Sequence, residues 1–268
     1  MTAGVSPDIL PGTQHVRFSL SMLGWALNEE ESIAGYVDRA EAFLRALTDD
    51  FELILLDDGS TDRTWPIIEE AARTRPWLRA FQNGRNRGSG YNTKRAIALA
   101  EKDYVFWQTV DWSYDIRHLA QAMACLPEVD VLQGVRIGTT SAQGMIRHRS
   151  DSSYKGLVSV VNYRLVRTLF RVPLADYQNV TVYPRSLIQS VTLESESAFT
   201  NPECLLKTWW RGATFKQVHV PFVKRQRGRG TGTRPRAVVA AVTDILYWWT
   251  QWILLGRRID HRKGRVVP

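Results

Sequence analysis

An α/β fold on a mostly parallel, doubly wound sheet is what this sequence predicts, and three observations carry that expectation. Apolar, β-prone segments alternate with segments whose apolar residues recur at helical spacing. The 268 residues are 44 % hydrophobic and 23 % charged, a balance that suits a domain with a sizeable core and excludes a disordered chain. Three segments that bring in polar residues, Trp25–Glu29, Asp57–Asp62 and Thr109–Asp115, fall at the ends of apolar runs. Ligands of doubly wound sheets sit outside the carboxyl ends of the strands, so these segments predict one crevice lined by carboxylates.

The elements follow in order. Residues 1–15 read as a flexible leader, and Met1 to Gln14 has no basic stretch followed by an apolar run, so no secretory signal is expected. Val16–Leu27 reads as a buried strand. Asn28 is placed to cap a helix in which Ile33, Val37, Ala40, Phe43, Leu44 and Leu47 form one face, with acids clustered at its start. A second strand, Phe51–Asp57, runs into Asp-Asp-Gly-Ser-Thr-Asp and a helix over Arg63–Thr74. A short strand at Leu78–Gln82, a helix over Tyr91–Ala100, a strand ending at Asp111 and a helix over Ile116–Ala124 complete the alternation. Parallel strands joined through helices imply right-handed crossovers.

Charge and cysteine usage narrow the function. Cys125 and Cys204 lie far apart with no Cys-x-x-Cys, which suggests neither a disulfide framework nor a zinc site. The net charge of +8 is uneven: residues 224–236 carry lysine and arginine with no acid, and Arg257, Arg258, Arg262, Lys263 and Arg265 face only Asp260. Such runs suit anionic partners such as phosphates or acidic lipid. Nothing aromatic and basic falls on a sheet face in a recognisable module, so no nucleic-acid partner is expected.

The chemistry lies at the strand ends. A carboxylate at Asp111, with Asp115 close by, is a hard-oxygen ligand suited to Mg2+ or Mn2+, ions that keep waters and borrow phosphate oxygens. Asp115 is placed better still to cap the next helix. Gly-Ser-Gly-Tyr-Asn-Thr only loosely mimics a dinucleotide fingerprint, and the acid that such a site needs is not in the expected setting, so an oxidoreductase is excluded. Arg87, Lys94 and Arg95 remain available to phosphates.

Together and in this order, WALNEEESI (25–33), LLDDGSTDRT (55–64), NRGSGYNTKRAIALA (86–100), DYVFWQTVDWSYD (103–115), ADYQNVTVYPR (175–185) and the block at 199–234 resemble family-2 glycosyltransferases. The likeness is to the branch that includes dolichyl-phosphate mannose synthase and bacterial polyprenyl-phosphate glycosyltransferases, and it runs from about Ser21 to Arg234. It implies a GT-A fold over 16–223, with 224–236 as a basic acceptor-side loop and 237–268 as an aromatic amphipathic helix and basic tail. It implies a donor pocket for a nucleotide-diphospho-sugar at Ala26, Leu27, Glu29, Asp57, Asp58, Lys94 and Val110, with Asp57 reading a base N–H. Mg2+ or Mn2+ is expected at Asp111, Ser113 and Asp115, catalytic roles at Asp111, Asp176 and Arg225, and acceptor contacts at Thr181, Arg185, Arg227, Arg229, Thr231 and Arg234. Inversion at the anomeric carbon is implied by the same likeness. Thr109 stands where the pattern has the first Asp of Asp-x-Asp, Thr181 where it has Arg, Trp25 where it has Pro, and Ser113 where it often has Gln.

Ala237–Gly256 is long enough to reach across a bilayer core as a helix of about 30 Å, yet it carries Asp244 and Gln251 and has its aromatics in the middle. Val238, Val242, Ile245, Leu246, Trp249, Trp252 and Ile253 share one stripe. An interfacial helix on the cytoplasmic face is expected first, a core or homo-oligomer-packing helix second and a spanning helix last. A lipid phosphate is accordingly the expected acceptor. The alternatives are a soluble or saccharide hydroxyl acceptor with Asp176 or Glu203 as base, and a catalytically impaired nucleotide-binding protein.

Overall fold

The computed structural model describes residues 8–136, 153–221, 235–257 and 262–267. Eight strands among these residues form one sheet in the order β3-β2-β1-β4-β6-β5-β7-β8. They are β1 (Leu20–Ala26), β2 (Phe51–Asp57), β3 (Leu78–Gln82), β4 (Tyr104–Trp107), β5 (Val131–Val135), β6 (Thr181–Pro184), β7 (Thr214–His219) and β8 (Arg265–Val267). All neighbours run parallel except β6, which is antiparallel to both β4 and β5. The doubly wound, mostly parallel expectation therefore holds, with one reversed strand in the middle. The end of the basic tail, for which no strand was expected, adds the edge strand β8 beside β7.

Helices cover both faces. They are α1 (Ile33–Leu47), α2 (Thr64–Thr74), α3 (Ser89–Leu99), α4 (Arg117–Ala122), α5 (Ser153–Phe170), α6 (Arg185–Ser190), α7 (Thr200–Trp210) and α8 (Pro235–Trp249), the last continuing into a π-helical turn at Thr250–Leu254. Strand residues alternate between two cores, as a period of two requires when both faces are covered. Met22, Leu53, Leu55 and Phe106 join Tyr36, Val37, Phe43 and Leu44 of α1 on one face. Leu23, Ile54, Leu56, Val105 and Trp107 join residues of α3, α5 and α7 on the other. The α1 face read from the sequence is buried as expected, with Tyr36 added to it.

Strand direction gives the sheet two different edges. Where β1 and β4 begin, Asp103 accepts from the backbone and hydroxyl of Ser19, both at 2.9 Å. At that same edge Arg79 pairs with Glu52 at 2.6 Å, and Arg185 donates to the Lys102 carbonyl at 3.0 Å. At the other edge β1, β2 and β4 all end, and the three polar segments emerge side by side.

Candidate active site

The first two loops are stitched together by short polar side chains. Asn28 does not cap α1; it has φ 55° and its Oδ1 accepts the Thr61 N–H at 2.9 Å, while its own N–H donates to Ser60 Oγ at 2.9 Å. The backbone N–H groups of Glu29 and Glu30 donate to Thr64 Oγ1 and Asp62 Oδ2 at 2.8 and 3.2 Å. Ala26 closes the seam by accepting the Asp58 N–H at 2.8 Å. Leu27 stays exposed beside it.

The paired acids organise the next layer. Asp57 is fully buried and accepts from the N–H groups of Gly59 and Ser60 and from Gln82 Nε2, at 3.2 to 3.4 Å. Asp58 accepts from Asn83 Nδ2 and the Arg87 N–H at 2.8 Å and from the Gly88 N–H at 3.0 Å, which fixes the loop leading into α3. Gly59 is needed there: its φ is +80°, and a Cβ would lie 2.4 Å from the Arg85 carbonyl carbon. A base N–H meeting Asp57 must share oxygens that already hold this turn. Lys94 of α3 pairs with Glu196 at 2.9 Å, and Gly90 lets that loop approach, since a Cβ on it would lie 2.2 Å from the Glu196 carbonyl carbon.

The third loop leaves β4 earlier than expected, at Trp107. Gln108 donates to the Leu23 carbonyl at 3.1 Å and accepts the Tyr36 hydroxyl at 3.1 Å, so the loop is tied to both β1 and α1. Val110, expected at the donor pocket, is buried in the core cluster. Asp111 is half-buried, and its Oδ1 accepts the Ser113 N–H at 3.2 Å. Thr109 also accepts that N–H on Oγ1, at 3.1 Å, so it keeps a loop-holding role in place of a carboxylate. Ser113 Oγ is buried and has no hydrogen-bond partner among the described residues. Asp115 departs from expectation as a metal ligand: both oxygens are taken by Arg117, at 2.7 and 2.5 Å, and that hydrogen-bonded guanidinium holds its carboxyl below the usual range.

One carboxylate and one uncommitted hydroxyl fit a hard cation that brings most of its ligands with a diphosphate. Among the described residues no three acidic, histidine or cysteine side chains converge on one point, so a cation held by protein groups alone does not fit.

Four further expectations are corrected by position. Asp176 is buried, and Arg136 grips both its oxygens, while the N–H groups of Tyr177 and Gln178 add donors at 2.8 and 3.0 Å. It anchors a guanidinium and has no oxygen disposed to take a proton. Thr181 is fully buried on β6, with its hydroxyl bonded to the Asn179 carbonyl, and meets no acceptor. Arg185 lies at the opposite edge of the sheet, because β6 runs against β4 and delivers its end away from Asp111. Glu203, the other candidate base, is buried, accepts the N–H groups of Glu194 and Ser195 and pairs with Lys207 at 2.7 Å. Burial nonetheless pushes its carboxyl up, against the pull of those partners. Arg225, Arg227, Arg229, Thr231 and Arg234 lie outside the described residues.

Sequence reasoning missed the Arg136–Asp176 clasp and the Asp8–Arg39 pair, which join residues far apart in the chain and leave no local signal. Residues from Asp8 on are docked in place of a loose leader, with Asp8 itself buried.

A family model described as Glycosyl transferase family 2 matches residues 25–187, more than half of the chain. The chain is 44 % identical over 205 residues to an undecaprenyl-phosphate 4-deoxy-4-formamido-L-arabinose transferase of Pseudomonas fluorescens, covering 75 % of this chain and 56 % of the relative. In fold it resembles glucosyl-3-phosphoglycerate synthase of Mycobacterium tuberculosis, solved with Mn2+, UDP and phosphoglyceric acid (TM-score 0.58, 19 % identity, 85 % of this chain and 78 % of that one). It likewise resembles the mannosyltransferase PcManGT of Pyrobaculum calidifontis, solved with GDP-mannose and Mn2+ (TM-score 0.58, 17 % identity, 94 % and 72 %). These likenesses establish the GT-A fold. The chain spans 36 to 59 % of the length of the first curated relatives it matches.

Proposed function

The chain belongs to glycosyl transferase family 2, and from that premise we propose that it moves a sugar from a nucleotide diphosphate to the phosphate of a polyprenyl lipid at a membrane surface. The observation that carries the choice of acceptor is the commitment of both candidate bases. A hydroxyl acceptor needs a carboxylate to remove its proton. Asp176 and Glu203 are each saturated with donors inside the protein. A phosphate monoester, with a second pKa of about 6, is mostly ionised at neutral pH and attacks without a base. The name of the arabinose transferase relative supports the same acceptor class.

In this reading an acceptor phosphate oxygen forms the new bond to the anomeric carbon as the bond from that carbon to the donor diphosphate breaks, with inversion. The stitched loops at Asn28 and Asp57 frame the donor, with Leu27 and Glu29 at their rim. Lys94 is released from Glu196 to meet a donor phosphate. Asp111 and Ser113 would hold Mg2+ or Mn2+, which when bound neutralises the leaving diphosphate, an electrostatic contribution of several kcal/mol. The Asp115 N–H donates to the Pro221 carbonyl at 3.0 Å, so the chain leaves β7 beside this crevice just before the basic segment at 224–236. That exit supports an acceptor-side role for Arg225, Arg227, Arg229, Thr231 and Arg234.

The last helix supports contact with a lipid surface. Ile245 and Trp252 are buried in the core, yet Leu246, Tyr247, Leu254 and Leu255 remain exposed beside Arg257. No helix among the described residues is long and apolar enough to cross a membrane. Exposed apolar side chains next to cationic ones suit a helix lying in the headgroup region, on the inner face of the cell membrane.

Incubation of the full chain with labelled UDP-, GDP- and dTDP-sugars, Mn2+ and detergent-dispersed undecaprenyl phosphate should place label in the lipid fraction. Label appearing only on a water-soluble hydroxyl acceptor would overturn the acceptor assignment. Sedimentation with anionic vesicles should be lost in Leu254→Glu/Leu255→Glu, a change that leaves the buried Trp252 contacts intact.

A further inference from the structure

Trp112, the residue after Asp111, has φ 51°, a left-handed conformation that bulky residues seldom adopt. Its indole is buried, and α1 closes over it from one face. Tyr36 and Phe43 meet it edge-on with ring centroids 5.7 and 6.2 Å away, and the Arg39 guanidinium lies 4.3 Å from the ring centroid. Spacings of three and four residues place all three on one side of the helix. Arg39 is itself fixed by buried Asp8 through a two-pronged pair, Nε to Oδ2 and Nη2 to Oδ1, both at 2.6 Å. With Trp112 held this way its N–H donates to the Thr109 carbonyl at 2.9 Å, and the next N–H, of Ser113, reaches Asp111 Oδ1 and Thr109 Oγ1.

We propose that Asp8 and Arg39 are positioning residues for Asp111, acting through Trp112. The Asp8 carboxylate orients the guanidinium, and the guanidinium, itself partly exposed, lies over the buried indole in a cation–π contact. The clamped indole keeps residue 112 left-handed, and that turn sets the Asp111 carboxylate. The strain is local and next to the reacting site, where over-determined packing is needed to maintain it. What Asp111 does rests on the function proposed above; the mechanical coupling does not.

The test uses the full chain and two variants, Asp8→Asn and Arg39→Met, with Arg39→Lys as the conservative control. Backbone hydrogen exchange is followed by mass spectrometry in peptides covering 108–116 and, for comparison, 51–57. Mn2+-dependent binding of UDP or GDP is measured in parallel. Both variants should speed exchange at 108–116 about tenfold or more while 51–57 stays protected, and Arg39→Lys should restore part of the protection. Mn2+ affinity should fall on the order of 10- to 100-fold, the usual range for residues that orient a metal ligand, with metal-free nucleotide affinity unchanged. Unaltered exchange at 108–116, or an equal rise at 51–57, would overturn the proposal. Local deprotection in a protein whose wild type binds nucleotide without any metal effect would uphold the coupling and remove the metal role of Asp111.

Discussion

Asp176 lies at the same sheet edge as Asp111, but its surroundings set it apart. Asp176 is buried and clasped by Arg136, and truncating one member of such a pair leaves an uncompensated charge. Asp176→Ala should therefore destabilise the protein by about 3–5 kcal/mol in urea melts, and Arg136→Met/Asp176→Ala should lose less than the sum of the single changes. A catalytic base would instead give normal melts with lost turnover. Its acidic character was legible in the sequence, but its role was not, because Arg136 lies 40 positions away and no spacing rule links them. Thr181 and Arg185 were misplaced for a related reason. A stretch of sequence does not show that its strand runs backwards, and the reversal of β6 sends Arg185 to the far edge.

At the scale of elements, Ile245 of α8 and Trp252 of the turn that follows it anchor this last helix to the body. Trp252 packs among Phe170, Phe199, Trp210 and Trp248, donates to Glu194 at 2.9 Å and lies under the Lys207 ammonium at 4.6 Å. Trp252→Ala should cost about 3–5 kcal/mol, the range for removing a large buried aromatic, and should raise hydrogen exchange across 238–254 before the rest of the chain. The amphipathic stripe was legible from spacing, but its assignment was divided by the fold. Ile245 and Trp252 went to the core, while Leu246 of the same stripe stayed outside with Tyr247, Leu254 and Leu255. Strands β1 to β3 and helices α1 to α3 were legible to within a few residues, because strand runs and helical spacing there are uninterrupted. Asn28 was not, because an amide that bridges to another loop has the same local signature as a helix cap.

For the whole molecule, the two sheet edges differ in what their carboxylates hold. At the edge away from Asp111, the backbone and hydroxyl of Ser19 hold the Asp103 carboxyl below its usual range. A depressed folded pKa gives stability that is fully present above the unfolded value, about 3.9, and is lost as pH falls through the folded value. Stability should therefore drop between about pH 5 and pH 2, and Ser19→Ala should make that drop smaller in urea melts at the two ends of the range. At the other edge the sequence foretold the convergence itself, since three polar segments after three parallel strands have nowhere else to go.

The central claim is that these loops form one pocket in which Asp111 couples a divalent ion to a nucleotide diphosphate. Calorimetric titration of the wild type and Asp111→Ala with UDP and GDP, each with and without Mn2+, tests it most directly. Mn2+ should tighten nucleotide binding to the wild type at least tenfold, about 1.4 kcal/mol, and should have no effect on Asp111→Ala. Equal Mn2+ enhancement in both proteins would contradict the account.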